Sequence, residues 1–232
     1  DGHDAVIARM ADLIEGAIEA GGFSKTEIGG IGIGVPGVLD LERGMVIFLP
    51  NLPGNWPNVP LQAMIQARVG LPTHLLNDAR AATFGEWRFG AGRGVETMAL
   101  FTLGTGVGGG LIIKGKLHLS LGGSAGELGH QSIDFNGPQC GCGNLGCLEV
   151  FASGPAIASY GIKAVVQGLT TSIGEMVNYD LNKITPELIY KAALAGDAIA
   201  RNIYERVGKY IGVAAANVIV TVEPVVRPRA RD

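Results

Sequence analysis

All three cysteines of this 232-residue chain fall in the eight-residue run CGCGNLGC at 140–147, and a histidine closes the run GELGH at 126–130 just upstream. His130, Cys140, Cys142 and Cys147 form a Cys3His set, the donor combination of a closed tetrahedral zinc site. A disulfide fits poorly: an odd cysteine count leaves one thiol over, and Cys140 and Cys142 are too near in sequence for an easy bridge. Four protein ligands leave zinc no open position for Lewis-acid chemistry, so its expected work is to shape a loop. Such a metal would hold His130 by one ring nitrogen and leave the other N–H as an oriented donor. Glu127 and Glu149 ride on the same segment and would flank that donor. Two carboxylates and an imidazole make a polar pocket suited to a polyhydroxyl ligand.

A second set of candidates lies earlier in the chain. Asp78 follows an apolar run ending in Asn77, which places a carboxylate at the end of a strand, where it is the best candidate for a general base. The same aspartate also suits the N-cap of a helix over 79–89. The loop GTGVGGG at 104–110 contains GxGxxG, but the β-branched LIIKGKL that follows is no helix, so a dinucleotide site is disfavoured. No GKS or GKT follows either, which excludes a Walker loop. The remaining reading is a strand–loop–strand whose N–H groups and Thr105 hydroxyl cradle a phosphate. A glycine-rich hairpin without a ligand is the plain alternative.

The elements needed to hold these residues are legible as periodicity. Val6, Ile7, Met10, Leu13, Ile14, Ala17 and Ile18 predict a helix over 5–20 ended by Gly21 and Gly22. Strands are expected at 29–37, near 44–49, at 73–76, at 96–103 and at 111–117, with a helix over 58–69 capped by Asn58. Thr185-Pro186 signals a helix start, and Ile199, Ile203, Val207, Tyr210 and Ile211 make a stripe farther on. The run ANVIVTVEPVV at 216–226 reads as strand-like. Strands mixed with helices throughout indicate an α/β class.

Composition narrows the function classes. With 47% hydrophobic and 17% charged residues and a net charge of −3, the chain carries no polyanion-binding signature, so nucleic acid is not an expected partner. No apolar run is long enough to span a bilayer, and reduced, metal-holding thiols favour the cytoplasm. The 37 glycines cluster at 29–37, 104–110, 122–129 and 137–146, as expected where backbone approaches ligands.

LNDARAATFGEW at 76–87, LGTGVGGGLIIKGKL at 103–117, GGSAGELGH at 122–130 and CGCGNLGCLE at 140–149 together resemble the ROK family of sugar kinases, the group of bacterial ATP-dependent glucokinases. VPGVLD at 35–40 and PNLPGNW at 50–56 extend the resemblance over nearly the whole chain. It implies a two-lobed, ribonuclease-H-like α/β fold of the actin and hexokinase type, with a smaller N-terminal lobe over 1–77 and a larger C-terminal lobe with the zinc loop over 78–232. It also implies structural zinc at His130, Cys140, Cys142 and Cys147, and Mg-ATP as phosphoryl donor. Sugar hydroxyl contacts are implied for Asn77, Asp78, Glu127, His130 and Glu149, and Asn51 is a weaker candidate. Asp78 matches the family's catalytic base. Gly104, Thr105, Gly106, Gly108 and Gly109 match its second phosphate-binding element.

The expected activity is phosphorylation of a hexose, with glucose as default, giving glucose 6-phosphate. The resembled family also contains transcriptional repressors, so a sugar-sensing domain is the competing expectation. Residue 1 is Asp, the family's N-terminal phosphate hairpin is not matched, and RPRARD stands where an adenosine-side turn is expected. These departures lead to the expectation of a truncated kinase with impaired ATP binding. A homodimer is a further expectation, since the apolar C-terminal helices suit an interface.

Overall fold

The computed structural model describes residues 2–49, 54–120, 123 and 125–223. Two compact units emerge: Asp1–Gly94 with Lys116–Gly126, and Val95–Gly115 with Glu127–Asp232. The boundary expected at 77/78 falls inside the first of these.

In the first unit, α1 (His3–Ala20) presents Ile7 and Ala11 to the core, with Val6, Met10, Ile14 and Ile18 packed beside them, whereas Leu13 and Ala17, expected on the same face, are exposed. Strands β1 (Ile31–Val35), β2 (Val38–Asp40) and β3 (Met45–Phe48) follow, then α2 (Leu61–Val69), β4 (Thr73–Asn77) and α3 (Asp78–Phe89). β1 and β4 pair in parallel from Ile31 opposite Thr73 to Val35 opposite Asn77. A parallel pair requires a crossover, supplied here by the antiparallel β2–β3 pair and α2. Both strands therefore end on the same edge, the carboxyl edge, where open α/β sheets bind ligands.

The helix expected from Asn58 begins three residues later. Asn58 has a left-handed backbone (φ 56°), and Val59 bridges Val46 instead of entering the helix, so Pro60 takes the cap position. That bridge buries Val46 and Val59 with Leu61 and Ile65, an apolar gain a longer helix would forfeit.

In the second unit, β5 (Met98–Leu103) and β6 (Val107–Ile113) form an antiparallel pair with Leu103 opposite Val107. The loop between them is therefore only 104–106. Gly108, Gly109 and Gly110 stand opposite Thr102, Phe101 and Leu100 in the ladder, which corrects the expected 104–110 loop. Gly109 serves packing: a Cβ there would lie 2.8 Å from both the Leu100 carbonyl oxygen and the Leu128 side chain. The strand expected over 111–117 is also broken. Lys114 and Gly115 both take positive φ and make a turn before the two-residue β7 (Lys116–Leu117) of the first unit.

The rest of the second unit is helical: α4 (Glu149–Ala152), α5 (Gly154–Val166), α6 (Pro186–Leu194) and α7 (Ala198–Val222). Thr185 caps α6 by accepting the Leu188 N–H, as its sequence signal predicts. The stripe on α7 packs as expected, with Ile203 and Val207 buried and Ile199, Tyr210 and Ile211 against them. The run ANVIVTV proves helical, not strand-like. Ala214 and Val218 continue the buried face of α7 at helical spacing, and this tertiary register outweighs the modest β preference of Val and Ile. No helix among the described residues is long and apolar enough to cross a membrane.

Candidate functional site

Asp78 opens α3 at the carboxyl end of β4. The N-cap is its neighbour: Asn77 Oδ1 accepts the N–H groups of Ala79 (3.1 Å) and Arg80 (3.3 Å), and its Nδ2 donates to the Gly37 carbonyl at 3.3 Å. Asn77 is thus buried and ties the turn after β1 to the start of α3. Capping by Asp78 itself, the alternative in the sequence, is not what forms. Asp78 is exposed, and its Oδ1 accepts only the adjacent Ala79 N–H at 2.8 Å, leaving Oδ2 without a protein partner among the described residues. A carboxylate so placed, at a strand end and facing solvent, has an oxygen free to accept a proton. Two residues on, Arg80 is buried, and its Nε and Nη2 both donate to the Ala125 carbonyl, at 3.1 and 3.0 Å. It holds the segment that leads into Glu127.

The second unit gathers the metal-type residues. Residues 131–148 fold back on themselves through isolated bridges, Ser132 to Cys147 and Gln139 to Leu145. Cys140 and Cys142 sit in a tight turn closed by Cys140 N–H to the Asn144 carbonyl (2.8 Å) and Gly143 N–H to the Cys140 carbonyl (2.9 Å). His130 ends a single 3-10 turn, Leu128–His130, that delivers it to the same place. The four ligand atoms all lie within 4.8 Å of one another. Cys142 and Cys147 sulfurs are 3.7 Å apart, and His130 Nδ1 is 3.6 Å from Cys140 Sγ. A tetrahedral zinc with Zn–S of about 2.3 Å would set sulfurs about 3.8 Å apart and nitrogen about 3.5 Å from sulfur, so the donor set fits the ion. Burial, reinforced by the neighbouring thiols, pushes Cys147 up to about 12, and burial raises Cys140 as well, whereas the backbone at Asn144 lowers exposed Cys142. A divalent cation would supply the charge those thiolates need.

Glu149 joins this cluster to the glycine turn. Its Oε2 accepts the Val107 N–H at 2.9 Å, and its Oε1 lies 3.9 Å from Cys140 Sγ. In the turn itself Gly104 N–H bonds the Gly106 carbonyl, and Gly154 N–H bonds the Gly104 carbonyl. The N–H groups of Thr105 and Gly106 and the Thr105 hydroxyl have no protein partner among the described residues, which leaves a small donor-lined concavity of the type that takes anions. Gly108 and Gly109, candidates for the same role in the sequence, belong to the ladder of β6.

Each unit thus assembles part of the candidate set. The first brings together Asn77 and Asp78. The second brings together Glu149, His130, the three cysteines and the turn at 104–106, with half-buried Glu127 heading the 3-10 turn that carries His130. Asn51 lies outside the described residues. Sequence reasoning missed the parts played by Val107, Gly129 and Arg80. The ELGH spacing carried a hint of Gly129; a valine that contributes only its peptide group carries none.

The sequence matches the ROK family over residues 4–226, and the chain belongs to that family. Among its relatives are the xylose repressor of Caldicellulosiruptor bescii, 38% identical over 95% of this chain and 54% of the repressor, and the glucokinase of Thermotoga maritima, 37% identical over 97% of this chain and 68% of the kinase. A ROK family glucokinase from Streptomyces griseus, solved in complex with glucose and AMPPNP, superposes with a TM-score of 0.82 at 33% identity, covering 96% of this chain and 70% of that one. The chain has the α/β fold of the ROK kinases, of the actin and hexokinase type, and spans about half the length of the repressors it matches. Its relatives divide between glucokinases and repressors.

Proposed function

We propose that this chain carries the sugar-phosphorylating machinery of a ROK hexose kinase, with glucose as substrate and Mg-ATP as donor. The observation that supports it most is the Asp78 carboxylate at the carboxyl end of β4, with one oxygen free of protein partners among the described residues. In this reading Asp78 accepts the proton of the sugar hydroxyl as its oxygen attacks the γ-phosphorus. The bond from that phosphorus to the β,γ-bridging oxygen breaks, and ADP leaves with the displaced charge. The Thr105 and Gly106 donors stabilise phosphate charge. Sugar hydroxyl contacts are proposed for Asn77, Asp78, Glu127, His130 and Glu149. His130, Cys140, Cys142 and Cys147 would hold a zinc ion whose part would be structural, since four protein ligands would leave it no open position.

Identity of 38% to a xylose repressor favours a second reading, a sugar-sensing domain that binds without turnover. Coupled measurement of ADP release with glucose and Mg-ATP, run beside calorimetric titration of glucose, separates the two. Turnover abolished by Asp78→Asn establishes the kinase. Glucose or xylose binding without ADP release establishes the sensor, and the absence of sugar binding removes both.

A further inference from the structure

The peptide group of Val107, the residue where the glycine turn enters β6, is gripped from two sides by segments that carry metal-type ligands. Its N–H is held by Glu149, two residues beyond Cys147. Its carbonyl lies against Gly129, next to His130, so closely that a Cβ on Gly129 would overlap the Val107 carbonyl oxygen. A Cβ on Gly106 would come 2.5 Å from Glu149 Oε2, so the turn leaves room for that carboxylate and no more. A further tie, Gly154 N–H to the Gly104 carbonyl at 2.8 Å, holds the other arm of the turn from just beyond α4. The donors proposed for phosphate, at Thr105 and Gly106, are therefore suspended between Gly104 and Val107, both anchored to the segment flanking the cluster.

We propose that the Cys3His cluster sets the geometry of the 104–107 turn through a clamp on Val107, with Glu149 as the positioning residue. Order in the cluster and order in the turn are then one equilibrium. Cysteines and histidine need the ion to stay together, and once they part, Gly129 and Glu149 have no reason to stay on Val107. Anion binding at the turn rests on the kinase reading, whereas the clamp does not.

The test is amide hydrogen exchange of residues 103–110 in the intact 232-residue chain, without sugar or nucleotide, with zinc content measured in parallel. Chelation of the wild-type chain should speed exchange at Gly104 and Val107, the two hydrogen-bonded amides of the turn, at least tenfold. Glu149→Ala should do the same with zinc retained, while Glu149→Gln, whose amide oxygen still accepts the Val107 N–H, should restore most of the protection. Unchanged exchange at Gly104 and Val107 in the chelated wild type, or equal loss at Val107 in the Gln and Ala variants, would overturn the proposal. Should Glu149→Ala fail to fold, the chelated wild type and the Gln variant decide. Because no nucleotide is present, absence of ADP release elsewhere sinks the kinase reading and leaves this result standing.

Discussion

The two regions that carry candidate chemistry are held in place by different means. Asp78 stands at a junction of regular elements, where a parallel strand pair, a cap from Asn77 and the first turn of α3 fix the backbone with ordinary hydrogen bonds. The segment 127–149 has almost no regular structure and depends on cross-links: short bridges, close glycine contacts, the Glu149–Val107 bond and four side chains gathered for an ion. A junction of regular elements is rigid without help. An irregular segment must obtain its rigidity from ligation, and so it is conditional on the ligand.

The largest way to test that contrast is to remove the ion. Structural zinc contributes about 10–16 kcal/mol of apparent binding energy. A chelator should therefore strip exchange protection from 127–149 while the β1 and β4 amides at 31–35 and 73–77 keep theirs, and glucose affinity should fall together with the zinc content. Equal loosening of both regions would erase the distinction. Next in size is Asp78→Asn, which should lower ADP release about 10²–10⁴-fold with glucose affinity changed little by calorimetry, as befits a residue whose removal disturbs no scaffold. Asn77→Ala, by contrast, strikes the scaffold of the same junction. Loss of the cap and of the tie to Gly37 should cost about 1–2 kcal/mol in urea denaturation, with Asn77→Asp recovering the cap but not the tie.

The smallest effect sharpens the comparison from outside both sites. Burial works against ionisation of Asp197, but bonds from Ala200 N–H, the Thr171 hydroxyl, and the Ser172 N–H and hydroxyl outweigh it and hold the carboxyl at about 2. A depressed folded value means stabilisation present above the unfolded value, about 3.9, and lost as pH falls toward 2. Wild type should exceed Asp197→Asn by about 1 kcal/mol at pH 6 in urea denaturation, and the gap should close between pH 4 and 2. A gap that persists at pH 2 would show that the aspartate acts through packing, not charge.

Much of this was legible before any coordinates. The Cys3His set, the helix expected over 5–20, the helix start at Thr185-Pro186, and a strand delivering Asn77 and Asp78 follow from residue type, period and capping chemistry, which are local properties. Where reading failed, a nonlocal contact had decided. Asn58 lost its cap to a bridge between Val46 and Val59, and Gly108, Gly109 and Gly110, read as loop, became strand by pairing with Thr102, Phe101 and Leu100.

The sequence by itself determined the family, the α/β class, the four ligand types and the carboxylates, because donor chemistry and hydrophobic period are written in side chains. Only the tertiary structure decided that Asn77 caps α3 while Asp78 keeps an oxygen free, that the anion-type turn shrinks to 104–106, and that Glu149 and Gly129 grip Val107. Those outcomes depend on backbone N–H and carbonyl groups, which every residue except proline carries alike. Which of them meet is settled by the fold.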